Sequence, residues 1–337
     1  MSKITSFIVS LLLGIGLLIW VIRIVGWQEI KSSFLIFTGW QGVIILFLSF
    51  LILFAGTWKW KVILKKLGYD ISSKELLVPY LSCFSINYLF QMIVVGGEVF
   101  RISILKEKHG VPWKKAIVSV IVDKMLEITA FLIFLLIGLA FFLLKIGLPP
   151  QNLGIILGAF LSCIVGGVIF FYFKSFKRES IARPLAKFFN RKGLANEDVL
   201  EIEKEVFRYF KFKKMAFWQG LSLAFFMAAT SWLRCWILIL FLGKSITFFP
   251  STTIFSSFYI ARLIPIPADL GSAEAIQFFT FSSLGLGAGI APAFAIIIRG
   301  AELILALIGI IFLFKLGIGL FQTFLFKKID NLLNHRN

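Results

Sequence analysis

Apolar runs of about 20 residues recur along the chain, and each such run can cross roughly 30 Å of hydrocarbon as a helix. The full-length runs are Ile4–Val25, Gln41–Trp58, Leu76–Val95, Ala116–Leu144, Asn152–Phe173, Ala216–Leu242 and Ala291–Phe314. Phe248–Arg262 and Ala273–Leu286 are shorter and flank a proline-rich break. No strand-like alternation of apolar and polar positions accompanies them, which argues against a β-barrel. Ile4–Val25 is too long for a signal-peptide core and lacks a small-residue cleavage site, so it reads as an anchor.

The polar residues between the runs set the topology. Lys59, Lys61, Lys65, Lys66 and Lys74 form one basic loop, and Arg101, Lys106, Lys108, Lys114 and Lys115 a second. Basic loops stay on the cytoplasmic face. Both loops flank the single run Leu76–Val95, so that run enters and leaves from the same face, as a re-entrant hairpin with Gly96 and Gly97 at its tip. Trp40, Trp58 and Trp60 fit an aromatic belt at the two interfaces. Six full crossings then put both termini inside, and each predicted outer loop carries one lysine: Lys31, Lys145 or Lys244.

The stretch Arg262–Glu274 is the second break. Pro265 and Pro267 lack N–H donors and push their preceding residues out of helical geometry. Gly271 permits a turn that a Cβ would obstruct. Irregular backbone at membrane depth survives only where protein buries it or a water-filled cavity adjoins it. This stretch is therefore read as the apex of a second re-entrant hairpin and the floor of a substrate cavity.

The two breaks belong to one repeating pattern. Glu98 lies 26 positions before Lys124, and Glu274 lies 25 before Arg299. Lys124 precedes Glu127 by three residues, as Arg299 precedes Glu302. Each half thus has a glycine-bearing turn, an acid, a second hairpin arm, and a spanning helix with a cation and an acid one turn apart. The expected architecture is an all-α polytopic membrane domain over residues 1–337, with about six transmembrane helices and two re-entrant hairpins. A first repeat covers about 41–144 and a second about 216–314, in inverted orientation. A cytoplasmic basic loop, 174–215, joins the halves, and a cytoplasmic tail covers 315–337.

Composition agrees with this. The chain of 337 residues is 59% hydrophobic and 15% charged, with a formal net charge of +18. Soluble domains carry about 25% charged residues. The positive charge sits in loops, where it orients the chain and meets anionic inner-leaflet lipids; nucleic acid is not an expected partner. Cys83, Cys163 and Cys235 lie in apolar runs without paired spacing, and His109 and His335 are isolated, so no metal site is expected. No nucleotide-binding loop is present, and no cofactor is expected. Within 174–214, Asn196 can cap a helix from Glu197. Val199, Ile202, Val206 and Phe210 recur at helical spacing, as on an interfacial helix or a solvated connector.

Charges inside apolar runs carry the chemistry, since each costs about 2.5–3.5 kcal/mol at a helix centre on insertion scales. The candidate substrate-binding residues are Arg299, Glu302, Arg234, Arg262, Glu274, Asp269, Glu98, Arg101, Lys124 and Glu127, with Asp123 beside them. One reading is an ion-pair network that fixes helix packing. The other is a hydrated cavity offering guanidinium groups to an anionic headgroup, for which arginine's planar fork is suited. No hydrolase motif accompanies Ser272, so no catalytic residue is expected.

Several of these residues carry a resemblance. Gly96-Gly97-Glu98 with Arg101, Lys115-Ala116, the segment Ile121–Glu127, and Pro265, Pro267, Leu270, Gly271 and Glu274 followed by Arg299 resemble the membrane domain of the lysylphosphatidylglycerol synthase/flippase family. Three departures accompany it. Ala268-Asp269 stands where the family usually has two glycines, Lys124 where it tends to have arginine, and Asp123 and Glu127 swap with the usual acids. Full-length members add a soluble aminoacyltransferase domain, and this chain ends soon after its last apolar run. The resemblance therefore implies a transporter rather than an enzyme. It would move an anionic or aminoacylated phospholipid, or a polyprenyl-phosphate-linked lipid, between leaflets of the cell membrane, and Arg299→Ala is expected to stop it. Two alternatives remain. One is a membrane subunit organising a lipid- or glycan-synthesis enzyme through the 174–215 loop. The other is a membrane-embedded transferase. A homo-oligomer stays open, although Gly14 with Gly16 and Gly317 with Gly319 lack the GxxxG spacing of a helix dimer.

Overall fold

The computed structural model describes residues 39–89, 96–147, 151–188, 196–210, 215–262, 264, 266 and 269–334, with four isolated positions before residue 39. The run Ile4–Val25 apart from Ile19 and Arg23, together with Lys31, Pro149-Pro150, Pro265, Pro267, Ala268, Lys211, Lys213 and Lys214, lies outside the described residues. No strand occurs among the described residues. The helices are α1 (Gly39–Lys66), α2 (Ser73–Leu89), α3 (Gly96–His109), α4 (Trp113–Ile146), α5 (Gln151–Lys177), α6 (Ala182–Phe188), α7 (Glu197–Tyr209), α8 (Met215–Phe241), α9 (Phe248–Ala261), α10 (Ser272–Ser283) and α11 (Ile290–Asn334).

Among the described residues, four helices are long and apolar enough to cross a membrane: α1, α4, α8 and the Ile290–Lys315 part of α11. Helix α2 has 17 residues, α3 and α9 have 14 each, and α10 has 12. At about 1.5 Å per residue none of these reaches across roughly 30 Å of hydrocarbon. They pack as two pairs of sequence neighbours, α2 with α3 and α9 with α10. Their starts are specified locally. Ser72 and Glu75 cap α2 reciprocally: the Ser72 hydroxyl accepts from the Glu75 N–H, and the Glu75 carboxylate accepts from the Ser72 N–H. At α10 the Gly271 N–H donates to the Glu274 carboxylate at 2.9 Å.

The packing has a regularity. Helix α1 lies along α8, α2 against α11, and α9 against α4. Helix α3 packs on α4 and α10 on α11, while α2 contacts α1 and α9 contacts α8. Exchanging α1 with α8, α2 with α9, α3 with α10 and α4 with α11 maps this set of packings onto itself. Glycines make the closest crossings. A Cβ on Gly138 in α4 would run into Thr252 and Ser256 of α9, and one on Gly309 in α11 would run into Leu81 and Ser85 of α2. At each crossing a hydroxyl of the short helix donates to the glycine carbonyl: Thr253 to Gly138 at 2.9 Å, and Ser82 to Gly309 at 3.3 Å.

Two expectations change. Helix α1 runs past Trp58 to Lys66, so Lys59, Lys61, Lys65 and Lys66 are helical. Lys59 and Trp60 are fully buried, while Trp40 and Trp58 stay exposed. The helix after Asn196 exists, but its apolar face is neither solvated nor free for lipid. Val206, Phe207, Tyr209 and Phe210 pack with Val118, Val122 and Leu126 of α4. Its acids hold α4's first turn, where Lys114 meets Asp198 at 2.7 Å and also Glu201, and Lys115 meets Glu205 at 2.7 Å. The acidic side of the 174–215 segment is thus engaged within the chain.

Candidate functional site

The two halves meet around a cavity of about 230 Å³. At roughly 30 Å³ per water this is room for about eight waters. Its wall is mixed: Phe84, Phe131 and Leu305 are apolar, while Ser49, Asn87 and Ser231 are polar. Charged groups reach it from both halves. Arg101 comes from α3, Lys124 and Glu127 from α4, Arg234 from α8, Arg262 and Asp269 from the break after α9, and Glu302 from α11.

The charges form two clusters, one from each half. In the first, Lys59 of α1 lies 3.1 Å from Asp123 and 3.3 Å from Glu127. Arg101 meets Asp123 at 2.9 Å and lies over the rings of Trp60 and Tyr80 at 3.9 and 4.7 Å. Lys124 lies 3.3 Å from Glu98 and 3.8 Å from Glu127. The Asn87 amide donates to Glu98 at 2.9 Å and accepts from the Gly97 N–H at 3.1 Å, which fastens the start of α3 to α2. In the second cluster, Arg234 of α8 meets Glu302 at 2.8 Å and donates to Ser49 at 2.8 Å. Arg262 bonds the other oxygen of Glu302, lies 3.4 Å from Asp269, and sits over Phe258 and Tyr259. Arg299 meets Glu274 at 2.7 Å and donates to the Asp269 carbonyl at 3.1 Å.

Six cations and six acids are involved, and each acid has a cation beside it. Pairing makes this burial affordable, because an unpaired charge in a low-dielectric interior costs several kcal/mol. On the cavity wall itself the balance differs. Arg101, Lys124, Arg234 and Arg262 stand against Glu127, Asp269 and Glu302, one positive charge in excess. Arg101 and Arg234 are buried, and Nε and Nη2 of Arg101 and Nε of Arg234 have no hydrogen-bond partner.

Of the ten residues expected from sequence, seven line the cavity: Arg101, Lys124, Glu127, Arg234, Arg262, Asp269 and Glu302. Glu98, Glu274 and Arg299 form the adjoining layer. Arg299 holds the second break against α11. Of the apex residues, Gly96 and Gly97 open α3, and Gly97 packs so closely on Cys83 and Asn87 that a Cβ would collide. Gly271 takes a positive φ of 77° at the start of α10. Sequence reasoning missed Lys59, Asn87, Tyr80 and Trp60. A signal for Lys59 was present: Lys59 and Arg234, Lys124 and Arg299, and Glu127 and Glu302 are all 175 positions apart. No group of three or more His, Cys, Asp or Glu able to hold a metal occurs among the described residues.

The sequence pattern of the lysylphosphatidylglycerol synthase TM region matches residues 7–309. The chain belongs to this family. Relatives include a UPF0104 membrane protein of Methanocaldococcus jannaschii, 24% identical over 317 residues, spanning 90% of this chain and 92% of that one. A UPF0104 membrane protein of Pyrococcus horikoshii is 23% identical over 257 residues, spanning 71% of this chain and 74% of the other. No solved structure matches the chain. As a lysylphosphatidylglycerol synthase TM-region protein it is an integral membrane protein, in keeping with its four long apolar helices.

Proposed function

We propose that the protein moves a lipid with a phosphate-bearing, anionic headgroup between the two leaflets of the cell membrane. The observation that carries this reading is the cavity. It is charged, walled by both halves, and carries one positive charge in excess on its wall. A network serving only to fix helix packing has no need of the space beside it or of the excess positive charge on its wall. The headgroup occupies the cavity while its acyl chains stay in lipid. Arg101, Arg234 and Arg262 hold the phosphate, as planar guanidinium groups hold oxyanions. Helices α2–α3 and α9–α10 act as two re-entrant hairpins, each too short to span. The halves α1–α4 and α8–α11 are inverted repeats around the site, with both chain termini cytoplasmic. The acids engaged by Lys114 and Lys115 leave the alternative, enzyme docking by the 174–215 segment, with less support.

The test is a reconstituted leaflet assay. Purified protein goes into liposomes with a labelled phosphatidylglycerol or polyprenyl phosphate, and access of an impermeant quencher to the label is followed. Wild type is expected to exchange the label, and Arg262→Gln to slow exchange at least about tenfold, the effect of losing about 1.4 kcal/mol. Folded wild-type protein that exchanges neither lipid, or an Arg262→Gln variant as fast as wild type, would refute the reading.

A further inference from the structure

The two halves match in their contacts but differ in exposure. Residues 175 positions apart play the same parts. Lys124 and Arg299 each hold the acid at the third position of the preceding hairpin arm, Glu98 or Glu274. Lys59 and Arg234 each reach from the first helix of the half to the acid of the last, Glu127 or Glu302. Yet the Lys124 side chain is 37% exposed and that of Arg299 12%, while Glu127 is 28% exposed and Glu302 4%. Lys124 lines the cavity and Arg299 does not.

The difference has a local cause. Arg262 bonds Glu302 and lies beside Asp269, closing the second half with charged contacts. The end of α2 instead offers Asn87, a neutral side chain that bonds Glu98 and the Gly97 N–H. The short helices differ in the same way. Pairs in α2 and α9 are spaced 171 residues apart, as Ser82 and Thr253 show by their bonds to Gly309 and Gly138. By that spacing Cys83 answers to Ile254. Cys83 lies on the cavity wall, whereas Ile254 is fully buried in the core of the second half.

We infer that this structure is one of two states, and that the other exchanges the roles of the halves. In it Lys124 and Glu127 are closed off, the Arg262 contacts open, and Arg299 with Glu274 becomes the cation–acid pair on the cavity. Arg299 is then a headgroup ligand of the second state, the counterpart of Lys124 in this one. This rests on the proposed translocation, since a headgroup leaving on the far side needs a cation there. Two arrangements of the same packing are available because the set of helix contacts maps onto itself under the exchange.

The experiment uses thiol accessibility in sealed membrane vesicles of each orientation, with a membrane-impermeant thiosulfonate. One protein keeps Cys83 as its only cysteine, by Cys163→Ala and Cys235→Ala. The other also carries Cys83→Ser and Ile254→Cys. Thr253→Cys, close to isosteric, is a second reporter on the same helix should Ile254→Cys not fold. Cys83 is expected to react from one face and the α9 cysteine from the opposite face. Adding Asp269→Asn, which weakens the Arg262 closure, is expected to slow modification of Cys83 and speed modification of the α9 cysteine severalfold. Labelling of both from the same face, or rates that change in the same sense, would overturn the exchange. Lipid movement without reciprocal labelling removes the two-state inference and leaves translocation standing. Reciprocal labelling without lipid movement sustains the exchange and removes the lipid reading.

Discussion

At the scale of single residues, Asp269 shows how the site departs from its family's pattern. Its φ is 55°, in the left-handed region. A side chain there costs about 1–2 kcal/mol, least for aspartate and asparagine. Glycine, which the family usually has at this point, adopts it freely. Aspartate is kept at a strained position where its carboxylate lies by Arg262 and its carbonyl accepts from Arg299 and Ser272. Two substitutions separate the terms. Asp269→Gly relieves strain as it removes the carboxylate, so its net loss in thermal unfolding in detergent is expected to be the smaller, about 1–2 kcal/mol. Asp269→Ala keeps the strain and leaves Arg262 with less compensation, so it should destabilise by about 3 kcal/mol, as breaking a buried pair does. Equal losses for the two would show that backbone strain plays no part. Residues such as Arg234, Arg299 and Glu302 were legible in the sequence because a charge inside an apolar run stands out. Lys59 was not. It opens a basic series with Lys61, Lys65 and Lys66, and only the continuation of α1 turns it inward to Asp123.

At the scale of elements, breaks in hydropathy marked the short helices, and Pro265, Pro267 and the glycine pairs gave their places. What the sequence hid was the reason those helices pack as they do. Gly138 and Gly309 look like ordinary glycines in apolar runs, yet each is a point where a short helix of the other half comes to backbone distance. Small residues at such crossings are how membrane helices approach without a hydrophobic driving force between them. Gly138→Ala forces Thr252 and Ser256 away and is expected to destabilise by about 1–3 kcal/mol, the usual cost of overpacking. Gly158→Ala in α5 has nothing within 4 Å of the added Cβ and should stay within about 0.5 kcal/mol of wild type. Thermal unfolding of the pair in detergent decides it; similar stabilities would mean the α4–α9 crossing is loose. Helix α7 teaches the complementary point. Its apolar stripe was visible, but amphipathicity alone does not say whether lipid or protein covers it, and Phe207 and Phe210 settle on α4.

At the scale of the molecule, the ends of the helices sort the loops into two sets. Helix α7 binds the first turn of α4, so the loop before α4 and helix α7 lie at one end of the bundle. The α2–α3 pair packs together and starts from that same end, because α1 runs away from its own start to reach Lys66 just before α2. The turns at 147 and 242–247, and the α10–α11 turn with Gly285 and Gly287, belong to the other. The first set is rich in lysine and arginine, and the second, among the described residues, carries Lys145 and Lys244. By charge bias the α7 end is expected to be the cytoplasmic one. Single cysteines at Lys108 and Lys204 are expected to react with an impermeant maleimide only in inside-out vesicles, and at Lys145 and Lys244 only in right-side-out ones. The result bears on the hairpins as well as the orientation. If α2 and α3 together made one full crossing instead of returning, Lys108 would react from the face opposite to a cysteine placed at Ser72. Reaction of both from the cytoplasmic face is what a chain that dips into the membrane and comes back requires, and the inverted relation of the two halves depends on it.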